Sequence, residues 1–441
     1  MKELEYLIDK AKAAGAEQAD IMHLERNSVD LSYRQGEMEN LDRSENSEVG
    51  LRVMIGKRQA VTSTSDFSKE SLDKLVERVT DMVRVVPEDP YIGLADVSQL
   101  AKDPATQLGE VEAEVPTSEL KKRVQEAEDA MLSVKGVAQS EGASSSWSSM
   151  NVRVMSSEGF SGLLQTSQQV LSCVALAGSG ENMQRDYDYS AVRSAKDLRS
   201  AADIGKQAGE KAVKRLNPKK IKTGAHPIVY DRRVAGHYLL QPFVNAINGE
   251  AIARGTSFLM DAMDQPVFSK GVAIFDDPTL VAGLGSRTFD REGIPAAKRA
   301  FVEQGTLKSW MLNLHSARQL GLESTGHAVG VVSAPPMVGC SNFFIAPGDL
   351  SPEKLLQDVS TGLYVTELMG FGINGVTGDY SLGASGFWIE NGKLAYPVSE
   401  VTIAGNLKEM YRSLVPANDL VFDSNICAPT VLIESMMVAG L

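Results

Sequence analysis

The chain reads as an α+β protein of two domains: an N-terminal domain of mixed helices and strands, and a C-terminal domain rich in mostly antiparallel strands. Three observations predict this. With 441 residues, the chain is long enough for two cores. Helices and strands occur in both halves without the steady βα alternation of a doubly wound sheet. The second half is punctuated by glycine turns of the kind that join hairpins. A boundary near residue 220 divides the chain into 1–220 and 221–441.

The first predicted element is an amphipathic helix with Leu4, Leu7, Ile8, Ala11 and Ala14 on one face and Gly15 as its stop. Alternation at Val29, Leu31 and Tyr33 predicts a strand. Val49 to Ile55 and Ala60 to Thr62 then form a hairpin across Gly56-Lys57. Ser68 caps a helix whose buried stripe is Leu72, Leu75, Val76, Val79, Met82 and Val83. Residues 86–116 hold Pro87, Pro90, Pro104 and Pro116 among acidic residues and read as a long loop. A helix over Ser118 to Val134 follows. Serine-rich strands run from Val137 to Val174, with serines suited to an exposed sheet face, and a helix covers Ala195 to Leu216. Beyond the boundary, Pro227 to Tyr230 is a strand and Asp231 caps a helix through Leu240. A tight hairpin turns at Glu390-Asn391-Gly392-Lys393.

Composition narrows the function. There are 44 basic and 57 acidic residues, net −13, which opposes binding to phosphate backbones. The basic run from Lys214 to Lys222 reads as a solvated linker. Cys173, Cys340 and Cys427 are far apart and odd in number, so a reducing, cytoplasmic setting is expected. The start of the chain has no signal-peptide pattern, and no apolar run is long enough for a membrane span.

One segment carries chemistry by what it lacks. Gly249-Glu250-Ala251-Ile252-Ala253-Arg254 becomes H-E-x-x-x-H, a zinc-peptidase pattern, if histidines replace its first and last residues. Glycine has no donor, and guanidinium is a permanent cation that repels the ion. Five residues turn a regular helix by about 500°, so two imidazoles at that spacing meet one ion only across a distortion. Without metal a regular helix is expected, with Glu250 paired to Arg254 or another cation. The five histidines, His23, His226, His237, His315 and His327, form no pair at helical ligand spacing. Gly383-Ala384-Ser385-Gly386-Phe387 misses the nucleophile-elbow pattern at its last position. Gly372, Gly375 and Gly378 precede no Gly-Lys-Ser/Thr and do not make a phosphate loop.

Several strings taken together resemble a known family. They are Ala317 to Ala328, Gly378 to Lys393 with Pro397-Val398, Thr402 to Asn406, and Gly50-Leu51-Arg52-Val53 with Ser63 to Asp66. The resemblance is to the TldD/PmbA family, also called modulators of DNA gyrase, and to its PmbA (TldE) branch. It implies a C-terminal domain with a vestigial metallopeptidase helix. Gly249 and Arg254 stand where the sister branch has zinc-binding histidines, and Glu250 stands where it has its catalytic glutamate. Cys427 lies near that branch's ligand cysteine, in a shorter segment, and also reads as a small buried thiol. The implied function is the non-metal subunit of a two-component zinc metallopeptidase that cleaves unfolded or small peptides, including peptide antibiotics and an antitoxin. Zinc would sit in a TldD-like partner. Gly378, Asp379, Tyr380, Gly383 and Gly386, and the loop from Pro87 to Pro104, are the expected substrate or partner surface, through exposed strand edges. A non-proteolytic regulatory protein and an autonomous hydrolase remain as alternatives, and the lone chain's self-association is left open.

Overall fold

Four strands of 17 to 20 residues organise the first half of the chain. The computed structural model describes residues 2–104, 108–109 and 111–440. Met1 of the N-terminal segment, and residues 105–107 and 110 of the loop expected over 86–116, lie outside the described residues. Helix α1 (Lys2–Ala13) leads into β1 (Gln18–Arg34), β2 (Glu37–Ile55) and β3 (Arg58–Thr64). After α2 (Lys69–Val85) and α3 (Thr117–Leu132) come β4 (Val137–Ser156), β5 (Ser161–Ala177) and β6 (Gln184–Val192), and then α4 (Ala201–Lys214). The strands make one antiparallel sheet in the order β3-β2-β1-β4-β5-β6.

Period-two alternation decides which face the helices cover. Ile21, Val29, Leu31 and Tyr33 of β1 all point to one face and are buried. There α1 and α2 cover one end through Leu7, Leu75 and Val79, while α3 and α4 cover the other through Leu120, Val124, Ile204 and Ala208. On the opposite face, Met22 and Val154 pack on Phe289 and Val332 from the second half. Further along that face, Ser28, Asp30 and Ser32 pair with Ser148, Ser146 and Ser144 and meet solvent, so the serine-rich strands do carry an exposed face.

Two elements differ from the sequence reading. Met82 is 38% exposed, because the buried stripe of α2 continues through Thr80 and Val83 instead. The helix expected from Ala195 begins at Ala201: a short 3-10 turn spans Ala195–Asp197, and the Ser200 hydroxyl then accepts from the Asp203 amide at 3.1 Å to cap α4.

The second half is built on a closed barrel. Strand β7 (Gly224–Tyr230) lies between Thr361–Met369 and Val431–Ala439; Asp379–Glu390 and Lys393–Asn406 continue the sheet. Thr402 to Ala404 pair back onto Met437 to Ala439 and close it. Only the contact of β7 with Thr361–Met369 is parallel. Asn391 and Gly392, at φ 51° and 73°, make the expected tight hairpin turn. Asp231 caps the helix Arg232–Ala235, which runs through a π-turn at Gly236–Leu240 into Gln241–Ala246 and fills the core with Leu239, Leu240 and Phe243. Between the barrel strands, short strands of two to five residues form a second sheet. No helix among the described residues is long and apolar enough to cross a membrane.

The two halves interlock at polar as well as apolar points. Asp20 of β1 pairs with Arg52 of β2 and with Arg291 of the second half, all three buried. The Arg318 guanidinium donates to the carbonyls of Tyr91, Gly93 and Leu94 at 3.2, 2.8 and 2.7 Å, which pins the proline-rich segment to the second half. Gly50 permits the closest approach: a Cβ there would lie 1.7 Å from the Val332 carbonyl oxygen. Gly50→Ala therefore separates the halves locally and lowers stability by about 1–3 kcal/mol, read as an earlier urea midpoint. An unchanged midpoint would mean the junction yields without cost.

Candidate functional site

Helix Gly249–Ala253 is set down by Asn248, whose side-chain oxygen accepts from the Glu250 amide at 2.9 Å. The turn is regular, the Arg254 amide donating to the Glu250 carbonyl at 3.1 Å. Its guanidinium lies 3.7 Å from the Glu250 carboxylate, with side chains 64% and 28% exposed. That is the pairing expected of a helix with no metal to bend it, and at that exposure it adds little stability.

Glu250 faces a cleft of about 430 Å³. Five further stretches of chain converge there with the Glu250 helix. Hairpin β2–β3 gives Arg52 and Gln59, the proline-rich segment gives Tyr91 to Gly93, and a buried loop gives Glu292. His315, Arg318 and Gln319 come from helix Leu314–Leu320, and Ala334 to Met337 form an apolar wall. His315 Nε2 lies 2.7 Å from the Asp89 carboxylate, which fastens the segment a second time. Thus the proline-rich loop and the Glu250 helix, far apart in sequence, form one cleft.

Glu292 is the most perturbed acid in it. Burial first, and then the neighbouring Asp290 carboxylate, push its carboxyl up to about 7, although Arg52 works against them. One oxygen accepts from the Leu314 amide at 2.8 Å. Asp290 is itself raised by burial, although it accepts from the Ala328, Glu292 and Ile294 amides.

The residues at the would-be zinc positions do not fit the ion. A Cβ on Gly249 would lie 2.4 Å from Leu312 and 2.7 Å from the Ser316 hydroxyl, so the helix is packed where an imidazole would have to stand. Arg254 brings a cation. Cys427 is buried elsewhere, its thiol donating to the Ser424 carbonyl at 3.2 Å and raised by burial, and it lines a different cavity from the cleft. Among the described residues, no group of three or more His, Cys, Asp or Glu is arranged to hold a metal.

The other sequence-predicted positions separate from the cleft. Strand Asp379–Glu390 is paired on both sides, so the glycine-rich stretch offers no free edge, contrary to expectation. Tyr380 is 1% exposed within the main core and is not a surface residue. Gly386 is buried with its Cα against the Tyr364 carbonyl, where a Cβ would approach to 1.9 Å. Gly383 packs on Met369, and Gly378 is buried at φ 83° in a turn closed by the Leu407 amide. Only Asp379 is exposed, and it is occupied by Thr377 and Asn406. These residues shape the barrel. Arg52, Glu292, His315 and Arg318 were missed; His315 and Arg318, three apart on one helix face, were the only readable signal.

Comparison with known proteins places the whole chain. Family models match throughout: the PmbA/TldA metallopeptidase domain 1 over residues 19–83, its central domain over 110–216 and its C-terminal domain over 223–440. Metalloprotease PmbA of Escherichia coli O157:H7 is 37% identical over 96% of this chain and 92% of its own. The chain belongs to the PmbA/TldD family. A PmbA homologue of Haemophilus influenzae is 33% identical over 99% of this chain and 95% of its own. Among solved structures, a candidate modulator of DNA gyrase from Bacteroides thetaiotaomicron superposes with a TM-score of 0.91 at 27% identity, covering 100% of this chain and 98% of that one. TldE of Thermococcus kodakarensis shares the PmbA/TldD fold at a TM-score of 0.88 and 20% identity.

The buried glutamate gives a pH prediction. In the unfolded chain Glu292 ionises near its ordinary 4.5, and in the folded chain near 7. The folded form binds more protons between those values, so stability falls as pH rises from 4.5 to 7 and levels off above. Glu292→Gln removes this contribution, at most about 1.4 kcal/mol per pH unit. Urea melts of both proteins across that window check it; parallel profiles would show a normal carboxyl.

Proposed function

We propose that this chain is the non-metal subunit of a two-component, cytoplasmic zinc metallopeptidase of the PmbA/TldD family, acting on unfolded or small peptides. The observation that carries the reading is the packing at Gly249. The helix expected to stand at the family's zinc-binding segment begins at a glycine packed on Leu312 and Ser316 and ends at an ion-paired arginine, so neither end offers zinc a ligand. Zinc catalysis needs about three protein ligands and an open position for water. A TldD-like sister subunit supplies them.

This chain contributes a peptide-binding surface. The cleft at Glu250 has a wall of Ala334, Pro335, Pro336 and Met337, several charged groups, and a lining shared among six segments. Such a mixed lining suits an extended chain of varied sequence. Three free cysteines, two of them buried, agree with a reducing compartment.

The test is purification of the chain alone and after coexpression with a TldD-like subunit, with zinc content and cleavage of an unstructured peptide measured for each. Alone, the chain is expected to hold far less than one zinc and to cleave nothing. The pair cleaves, chelator abolishes cleavage, and Met337→Asp raises KM severalfold while leaving the zinc content of the pair unchanged. Stoichiometric zinc with chelator-sensitive cleavage by the lone chain would overturn the proposal.

A further inference from the structure

A second cavity, of about 790 Å³, lies where α4 meets the outside of the barrel, and none of the cleft residues lines it. Its size falls within the range of small-molecule sites, and domain junctions are where such sites concentrate. The apolar wall is aromatic: Tyr364, Phe387 and Tyr396, joined by Leu356 and Leu394. This wall is held in place. The Lys219 amide donates to the Pro397 carbonyl at 2.8 Å, and the Lys219 ammonium sits 4.3 Å from the centre of the Tyr396 ring.

The polar side is unequally matched. Arg233 is paired with Asp186 at 2.9 Å and Asp231 at 3.3 Å, and Lys211 with Asp188 at 2.7 Å. The Tyr364 hydroxyl donates to Asp231 at 3.0 Å. Two further lining cations, Lys214 and Lys393, are exposed and have no carboxylate within ion-pair distance among the described residues. The one remaining acid, Glu353, is held by the Ser351 hydroxyl at the start of its own helix.

Thr366 lies behind the cavity wall at an irregular point of the barrel. It sits at the bulge in strand Thr361–Met369, where pairing with the neighbouring strand skips from Val365 to Glu367. Thr366 is 9% exposed and lines both this cavity and a neighbouring one, and its hydroxyl is enclosed without a hydrogen-bond partner. A buried unpartnered hydroxyl is uncommon in folded proteins, and here it marks the irregular strand that backs the cavity.

We propose that this cavity binds an apolar carboxylate, with its aromatic or branched body on Phe387 and Tyr396 and its anion held by Lys214 and Lys393. The end of a peptide chain and a free aromatic acid share this chemistry. The site stands apart from the proposed peptidase role, because neither lysine touches the Glu250 cleft.

Calorimetric titration of the full chain tests it with three probes: N-acetyl-dialanyl-phenylalanine, the same peptide as its C-terminal amide, and 3-phenylpropanoate. The free carboxylate peptide binds, and the amide binds at least tenfold more weakly. Lys214→Met with Lys393→Met costs at least tenfold. Both lysines are exposed, so their replacement leaves the melting temperature unchanged and isolates the charge. Tighter binding of the peptide than of 3-phenylpropanoate assigns the site to chain termini, and the reverse order assigns it to free acids. Absence of saturable heat at millimolar probe, equal binding of acid and amide, or unchanged affinity in the double lysine variant would each overturn the proposal.

Discussion

The buried cluster of Asp20, Arg52 and Arg291 is the constraint on which the arrangement of this molecule depends. Burial would raise the Asp20 carboxyl, but two guanidinium groups beside it hold it below its ordinary range. Charges this deep are tolerated only when paired, because each ion left alone loses its hydration without return. The cluster draws two members from the first sheet and one from the second half, so Asp20 and Arg52 pair within the sheet while Arg291 joins them only when the halves are correctly set. Apolar packing of Phe160 on Phe289, centroids 5.2 Å apart, adds area to this junction without direction. The ion cluster supplies the direction.

The cleft inherits its geometry from that junction. Arg52 belongs both to the cluster and to the cleft floor, and Glu292 follows Arg291 in sequence. Arg291 meets only one carboxylate, and its Nε and Nη1 find no partner among the described residues. The local excess of positive charge is what Glu292 would balance if ionised, yet burial and Asp290 keep its proton near neutrality. The cleft is thus a place where electrostatic conflict is left standing, a condition common at functional sites and rare in inert cores.

Much of the fold was legible in the sequence because it rests on periodic burial. The stripes of α1 and α2, the hairpin turn at Asn391-Gly392 and the cap at Asp231 are local rules, and they hold in the structure. That Gly249 and Arg254 carry no zinc-ligating side chain was equally readable, since it depends on residue type alone. What could not be read was convergence. Arg318 reaches three carbonyls more than two hundred residues away in sequence, and Glu292 lies in irregular chain without a period to mark it. The glycines of 378–386 misled for a related reason. They signal close backbone approach, but sequence does not say whether the approaching group is a ligand or, as here, the protein's own Tyr364 carbonyl and Met369 side chain.

The length of the first sheet has a mechanical consequence. Strands β4 and β5 stay hydrogen-bonded from Val137 to Met155 on one and from Ala177 to Ser161 on the other, with β1 alongside. At about 3.3 Å per residue this is a plank some 60 Å long. The helix pairs at its two ends rest on different rungs of the same strands, β1 and β4. Moving one helix pair against the other therefore requires bending or twisting strands that run continuously beneath both.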